Sequence, residues 1–113
     1  KIAIVTAGRR SRIKNSVPSN FLQKFDVIVC GDDTKRGKPF PDPFLKGMQD
    51  LNVRPSETVV VENAPFGISS GKASGAYVIA ICSTVKKTKL AEADEIFSSF
   101  NKIVESPLIR SAL

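Results

Sequence analysis

Four runs of consecutive apolar, mostly β-branched residues punctuate the chain: Ile2–Thr6, Asp26–Cys30, Thr58–Glu62 and Tyr77–Cys82, with a shorter one at Glu95–Phe97. Most are continuous rather than alternating, which is the pattern of strands buried on both faces. The stretches between them carry helix signals. Ser11 to about Asn15 predicts a short helix stopped by Pro18. Asp42 predicts an N-cap with Pro43 at the first helical position. Phe44, Met48 and Leu51 then follow i, i+4, i+7 spacing, with Leu45 beside them. A third helix is expected from about Pro65 to Ser74, closed by Gly75 as a left-handed cap. Its small residues Gly67, Gly71 and Ala73 suit close packing on a sheet. Ser98 to about Glu105 predicts a last helical segment, ended by Pro107. The order β-α-β-α-β-α-β requires crossovers between parallel strands. It predicts an α/β fold: an open parallel sheet with helices on both faces.

Composition narrows the class. The 113 residues are 42% hydrophobic and 25% charged, as in a soluble globular domain or part of one. No apolar stretch approaches the ~20 residues of a membrane span, so no membrane partner is predicted. Lys1–Val5 is too short an apolar run for a signal peptide, and a start directly on a core strand is what truncation of a longer chain would give. Cys30 and Cys82 each end an apolar run, there is no CxxC, and there is no histidine. That argues against a Cys/His zinc site, and reduced thiols in a cytoplasmic protein are preferred to a disulfide. Net charge is +6. Cations cluster at Arg9, Arg10, Arg12 and Lys14, at Lys35, Arg36 and Lys38, and at Lys86, Lys87 and Lys89. Such clusters attract anionic substrates or nucleic acid. No aromatic residues interleave with them, so a base-stacking surface is not indicated; solvated loop side chains are the plainer reading.

Candidate chemistry lies just after three strands, where open α/β sheets bind ligands. After the first comes Thr6-Ala7-Gly8, a hydroxyl followed by a small turn whose N–H groups could face a phosphate; an ordinary βα turn is the alternative. After the second comes Gly37-Lys38-Pro39-Phe40-Pro41-Asp42-Pro43, in which prolines stiffen the backbone around a lysine. A fixed cation suits a transferring phosphoryl group. After the third come Glu62 and Asn63, oxygen ligands suited to magnesium. Alternatively, Asn63 caps the next helix and Glu62 is a partly buried acid held by Lys38.

Together these features resemble the haloacid dehalogenase (HAD) superfamily, and most closely its β-phosphoglucomutase-like phosphatase branch. The resemblance runs from about Lys1 to Val104, and Gly37–Pro43 and Glu62-Asn63-Ala64-Pro65-Phe66-Gly67 are its most specific parts. It implies a Rossmann-like HAD core, of which residues 1–113 form the C-terminal portion. It implies that Thr6, Ala7, Gly8 and Lys38 bind phosphate, that Thr6 and Lys38 are catalytic, and that Glu62 and Asn63 hold Mg2+. The implied substrate is a small phosphorylated metabolite, taken by a phosphatase, with a phosphomutase or a non-catalytic binding module as alternatives. Two departures stand out. The family's nucleophilic aspartate, on a strand before Lys1, is absent, as is the cap domain, so the chain alone is expected to be inactive. Asn63 stands where many relatives carry aspartate. In the family the absent strand lies between Ile2–Thr6 and Thr58–Glu62. Those two strands are expected either to close up, or to await another chain or the missing N-terminal segment.

Overall fold

The structure, a computed structural model, describes residues 1–82 and 90–112. The cluster at Lys86, Lys87 and Lys89 lies outside the described residues. Every expected strand is present: β1 (Ala3–Val5), β2 (Val27–Val29), β3 (Val59–Glu62), β4 (Tyr77–Ile81) and β5 (Glu95–Phe97). Helices α1 (Arg10–Ser16), α2 (Ser19–Leu22), α3 (Asp42–Leu51), α4 (Pro65–Ala73) and α5 (Pro107–Ala112) join or follow them.

The strands form two parallel sheets. β1 pairs with β2, Ala3 opposite Val27. β4 pairs with β3 on one side and β5 on the other, Val59 opposite Tyr77 and Ile79 opposite Glu95. β1 and β3 are not hydrogen-bonded to each other. Of the two expectations for these edges, closing up is not what the chain does: each stays an outer strand of its own sheet.

One apolar core nevertheless crosses the division. Phe44 and Met48 of α3 pack with Val60 of β3, Ile68 of α4, and Val78 and Ala80 of β4. α3 also rests on the other sheet, where Gly47 stands 3.3 Å (measured to an added Cβ) from a Val5 methyl and 3.8 Å from one of Val29. The helix therefore straddles both sheets with its Phe44–Met48 face, as its spacing predicted. α4 lies against β3 and β4 through Gly71, where a Cβ would come within 2.9 Å of Val78 and 3.1 Å of Val60.

Helix ends depart from expectation in two places. The N-cap of α3 is Pro41, and Asp42 is already in the first turn. Its carboxylate accepts two hydrogen bonds from Arg36 instead of capping, and an acid there still suits the positive end of the helix. Ser98–Glu105 is helical only as a 3-10 segment, Phe100–Glu105, and Pro107 opens α5 instead of ending the chain's helical structure. Proline is well suited to a first helical turn, where its missing N–H would have had no partner. Gly75, with φ +89°, takes the left-handed conformation expected of it after α4.

Close packing at Gly71 gives a test of the α4–sheet contact. Gly71→Ala should lift the helix and cost about 1–3 kcal/mol, read as a lower urea midpoint; an unchanged midpoint would contradict the packing described.

Candidate active site

The ends of β1, β2 and β3 converge on Lys38. Its loop leaves β2 and enters α3, and its ammonium donates to Glu62 Oε1 at 2.5 Å and to the Val5 carbonyl at 3.2 Å. The Phe44 ring lies beneath it, 5.1 Å from nitrogen to ring centroid. Both partners are largely sequestered, with side chains 16% and 11% exposed. Lys38 thus ties the tip of β1 to the tip of β3 across the line where the two sheets separate. A cation and a carboxylate at this depth reinforce each other much more than on the surface.

Glu62 is placed from below by α4. A Cβ on Gly67 would fall on the Glu62 carboxylate, so only glycine leaves room for it there. The second carboxylate oxygen accepts the Asn63 N–H at 3.2 Å. Asn63 itself is exposed, and the N-cap of α4 is Ala64, so the helix-capping alternative for Asn63 does not hold. The alternative for Glu62, an acid held by Lys38, does hold. Among the described residues, no group of three or more His, Cys, Asp or Glu side chains could hold a metal ion. Glu62 and Asn63 offer one carboxylate and one amide oxygen, which is a partial ligand set for a hard cation.

The Thr6-Ala7-Gly8 turn is fixed by the loop after β2. Thr6 N–H continues the ladder to Val29, its Oγ1 accepts the Gly8 N–H at 3.0 Å, and the Gly8 carbonyl accepts the Gly31 N–H at 2.8 Å. The two turns approach so closely that a Cβ on Gly31 would collide with the Ala7 carbonyl. Asp32 Oδ1 accepts the Arg10 N–H at 3.0 Å. Asp33 Oδ2 accepts the Cys30 N–H at 2.8 Å and the Arg10 guanidinium at 2.5 Å, and Arg10 also donates to the Ile28 carbonyl at 2.9 Å. Sequence reasoning missed this clamp; nothing local to Arg10 marks it as the partner of acids 22 and 23 residues away. It also missed Ser98, Ser99 and Phe100, which with Val61 and Glu62 line an open cleft of about 560 Å³ past the ends of β3 and β4.

The basic clusters divide. Arg10, Arg36 and Lys38 are committed to Asp33, Asp42 and Glu62, whereas Arg9, Arg12, Lys14 and Lys35 are exposed. No described helix is long and apolar enough to cross a membrane. Cys30 is buried, Cys82 is half-buried, and no disulfide joins them. Burial pushes the Cys30 thiol up.

The Asp33 carboxyl lies below its ordinary 3.8, held there first by the Cys30 N–H and then by Arg10. A depressed carboxyl contributes its stability in full above the unfolded value and loses it as pH falls through the folded one. Asp33→Asn should therefore destabilise the chain at pH 6 and narrow the difference in urea midpoint between pH 6 and pH 3. An equal difference in both proteins would contradict the clamp.

Comparison with known proteins agrees with this geometry. Residues 1–81 match the family model for haloacid dehalogenase-like hydrolases. The chain is 40% identical over 103 residues to hexitol phosphatase A of Escherichia coli, covering 89% of this chain and 47% of that protein. It is 33% identical over 103 residues to validoxylamine A 7'-phosphate phosphatase of Streptomyces hygroscopicus, covering 90% and 48%. Among solved structures, a Thermotoga maritima protein whose name places it with the β-phosphoglucomutases superposes with a TM-score of 0.82 at 26% identity, covering 100% of this chain and 53% of that one. A HAD hydrolase, family IA, variant 3, from Entamoeba histolytica gives 0.80 at 26% identity, covering 96% and 51%. The chain spans about half the length of the curated relatives it matches. With its parallel strand ends gathered on Lys38 and Glu62, the chain belongs to the haloacid dehalogenase-like hydrolases, in their phosphatase branch.

Proposed function

We propose that this chain is the phosphate-gripping half of a magnesium-dependent phosphatase acting on a small phosphate ester. The observation that carries the reading is the Lys38–Glu62 pair, held at the ends of two strands that do not pair with each other. A strand between β1 and β3 would satisfy both edges and bring its own tip beside Lys38. We propose that this strand comes from a preceding segment of a longer chain, or from another chain, and carries an aspartate. Likeness to hexitol phosphatase A, at 40% identity, favours a phosphatase; likeness to the β-phosphoglucomutase-named structure keeps a phosphomutase as the second reading.

In this reading an aspartate oxygen bonds to phosphorus while the ester P–O bond breaks, and the alcohol leaves with a proton. Water then cleaves the aspartyl-phosphate, releasing inorganic phosphate and restoring the carboxylate. Lys38 bears on the phosphoryl oxygens, and Thr6 with the Ala7 and Gly8 N–H groups lines their other side. The Thr6 hydroxyl now holds the Gly8 N–H, so phosphate would exchange with an internal hydrogen bond rather than enter an unformed turn. Glu62 and Asn63 would hold Mg2+, which when bound offsets charge on the phosphate. The protein's place is the cytoplasm, consistent with its reduced thiols.

The test is turnover of p-nitrophenyl phosphate with Mg2+. The 113-residue chain alone should be inactive, and supplying the strand between β1 and β3 should restore Mg2+-dependent hydrolysis. Lys38→Met in the restored enzyme should lower kcat by about 10²–10³-fold, the usual loss when a transition-state charge partner is removed. Robust turnover by the chain alone, or full activity of Lys38→Met, would overturn the proposal.

A further inference from the structure

One buried hydroxyl in the neighbourhood of Lys38 has no part in the scheme above. Ser70, in the second turn of α4, is fully buried, and its Oγ donates to the Phe40 carbonyl at 2.6 Å. Phe40 belongs to the Lys38 loop, and its own N–H closes a turn onto the Gly37 carbonyl at 2.9 Å, with Lys38 and Pro39 inside that turn. The loop is poor in donors of its own, because Pro39, Pro41 and Pro43 have no N–H. A hydroxyl reaching in from α4 is therefore a strong constraint on where the turn sits.

We infer that Ser70 is a positioning residue: it fixes the Gly37–Phe40 turn on α4 and so sets where the Lys38 ammonium stands. Gly67 and Ser70 are three residues apart, neighbours on one side of the helix. Gly67 makes room for the Glu62 carboxylate, and Ser70 holds the loop that brings Lys38 to it. A single helix thus sets both halves of the ion pair. Its own place is fixed by Gly71, which seats it on Val60 and Val78. The sequence offers an internal control. Ser74 is also buried, on the turn that closes the same helix, and its Oγ donates to the Gly71 carbonyl at 2.6 Å. It makes the same kind of bond but touches nothing in the Lys38 loop.

The role in binding rests on the phosphate reading proposed for Lys38, so the experiment uses two readouts. The first is the Kd of inorganic phosphate, measured by NMR titration of the 113-residue chain with Mg2+ present. The second is the chemical shift of the Lys38 side-chain ammonium in the absence of phosphate. Ser70→Ala should weaken phosphate about 10-fold, within the range that a sub-ångström to ångström misplacement costs, and should move the Lys38 resonance. Ser74→Ala should leave both within error. If Ser70→Ala does not fold, Ser70→Cys carries the comparison, since it keeps the side-chain size with a much weaker donor. Equal effects of the Ser70 and Ser74 substitutions, or an unmoved Lys38 resonance, would overturn the inference. Phosphate binding that ignores Lys38→Met would instead overturn the phosphate reading, and the Lys38 resonance would still decide the role of Ser70.

Discussion

The structure hangs on a single charge pair that joins two sheets. β1 and β2 form one ladder and β3, β4 and β5 another. Backbone hydrogen bonds do not cross between β1 and β3, so side chains and helices must hold them in register. Lys38 does this directly, with one bond to the Val5 carbonyl and one to Glu62. α3 does it through the core, with Phe44 and Met48 packed against Val60 and Val78 while Gly47 sits on Val5 and Val29. Desolvating two charges is costly, and their attraction repays it only with good geometry and added hydrogen bonds. Here the carboxylate has the Asn63 N–H, and the ammonium has a carbonyl and an aromatic face.

That arrangement explains why the family's motif residues come in the types they do. The glycine five residues after Glu62 is there because a Cβ would occupy the carboxylate's place. The prolines around Lys38 restrict a loop that has few donors, and Ser70 supplies a donor from outside it. The glycine after β2 lets the Gly31 turn press against the Ala7 carbonyl, which fixes the turn beside Lys38. Each is a steric requirement of bringing three strand ends within reach of one phosphate-sized space.

Much of this was legible in the sequence because the signals were local. Continuous apolar runs gave all five strands, and Phe44–Met48–Leu51 spacing gave the buried face of α3. Gly37–Pro43 and Glu62–Gly67 marked the site and the family. What escaped depended on contacts between distant residues. The Arg10–Asp33 clamp links positions 23 apart, and the Ser70–Phe40 bond links positions 30 apart. Asp42 looked like a cap because its type favours one, but Arg36 and Pro41 settle its place. Pro107 read as a stop, yet proline serves equally well as a first residue, and only the buried Ser106–Glu95 bond before it shows that a new helix begins.

The claim that the Lys38–Glu62 pair couples the two sheets is tested most directly by a double-mutant cycle on stability. Lys38→Met, Glu62→Gln and the double variant would be unfolded in urea beside the parent chain. The account predicts a coupling energy of about 1–3 kcal/mol, the range for residues sharing a buried network. It also predicts that the double variant is more stable than the two single losses would sum to. Single losses that add to within about 0.5 kcal/mol, as independent sites do, would contradict it.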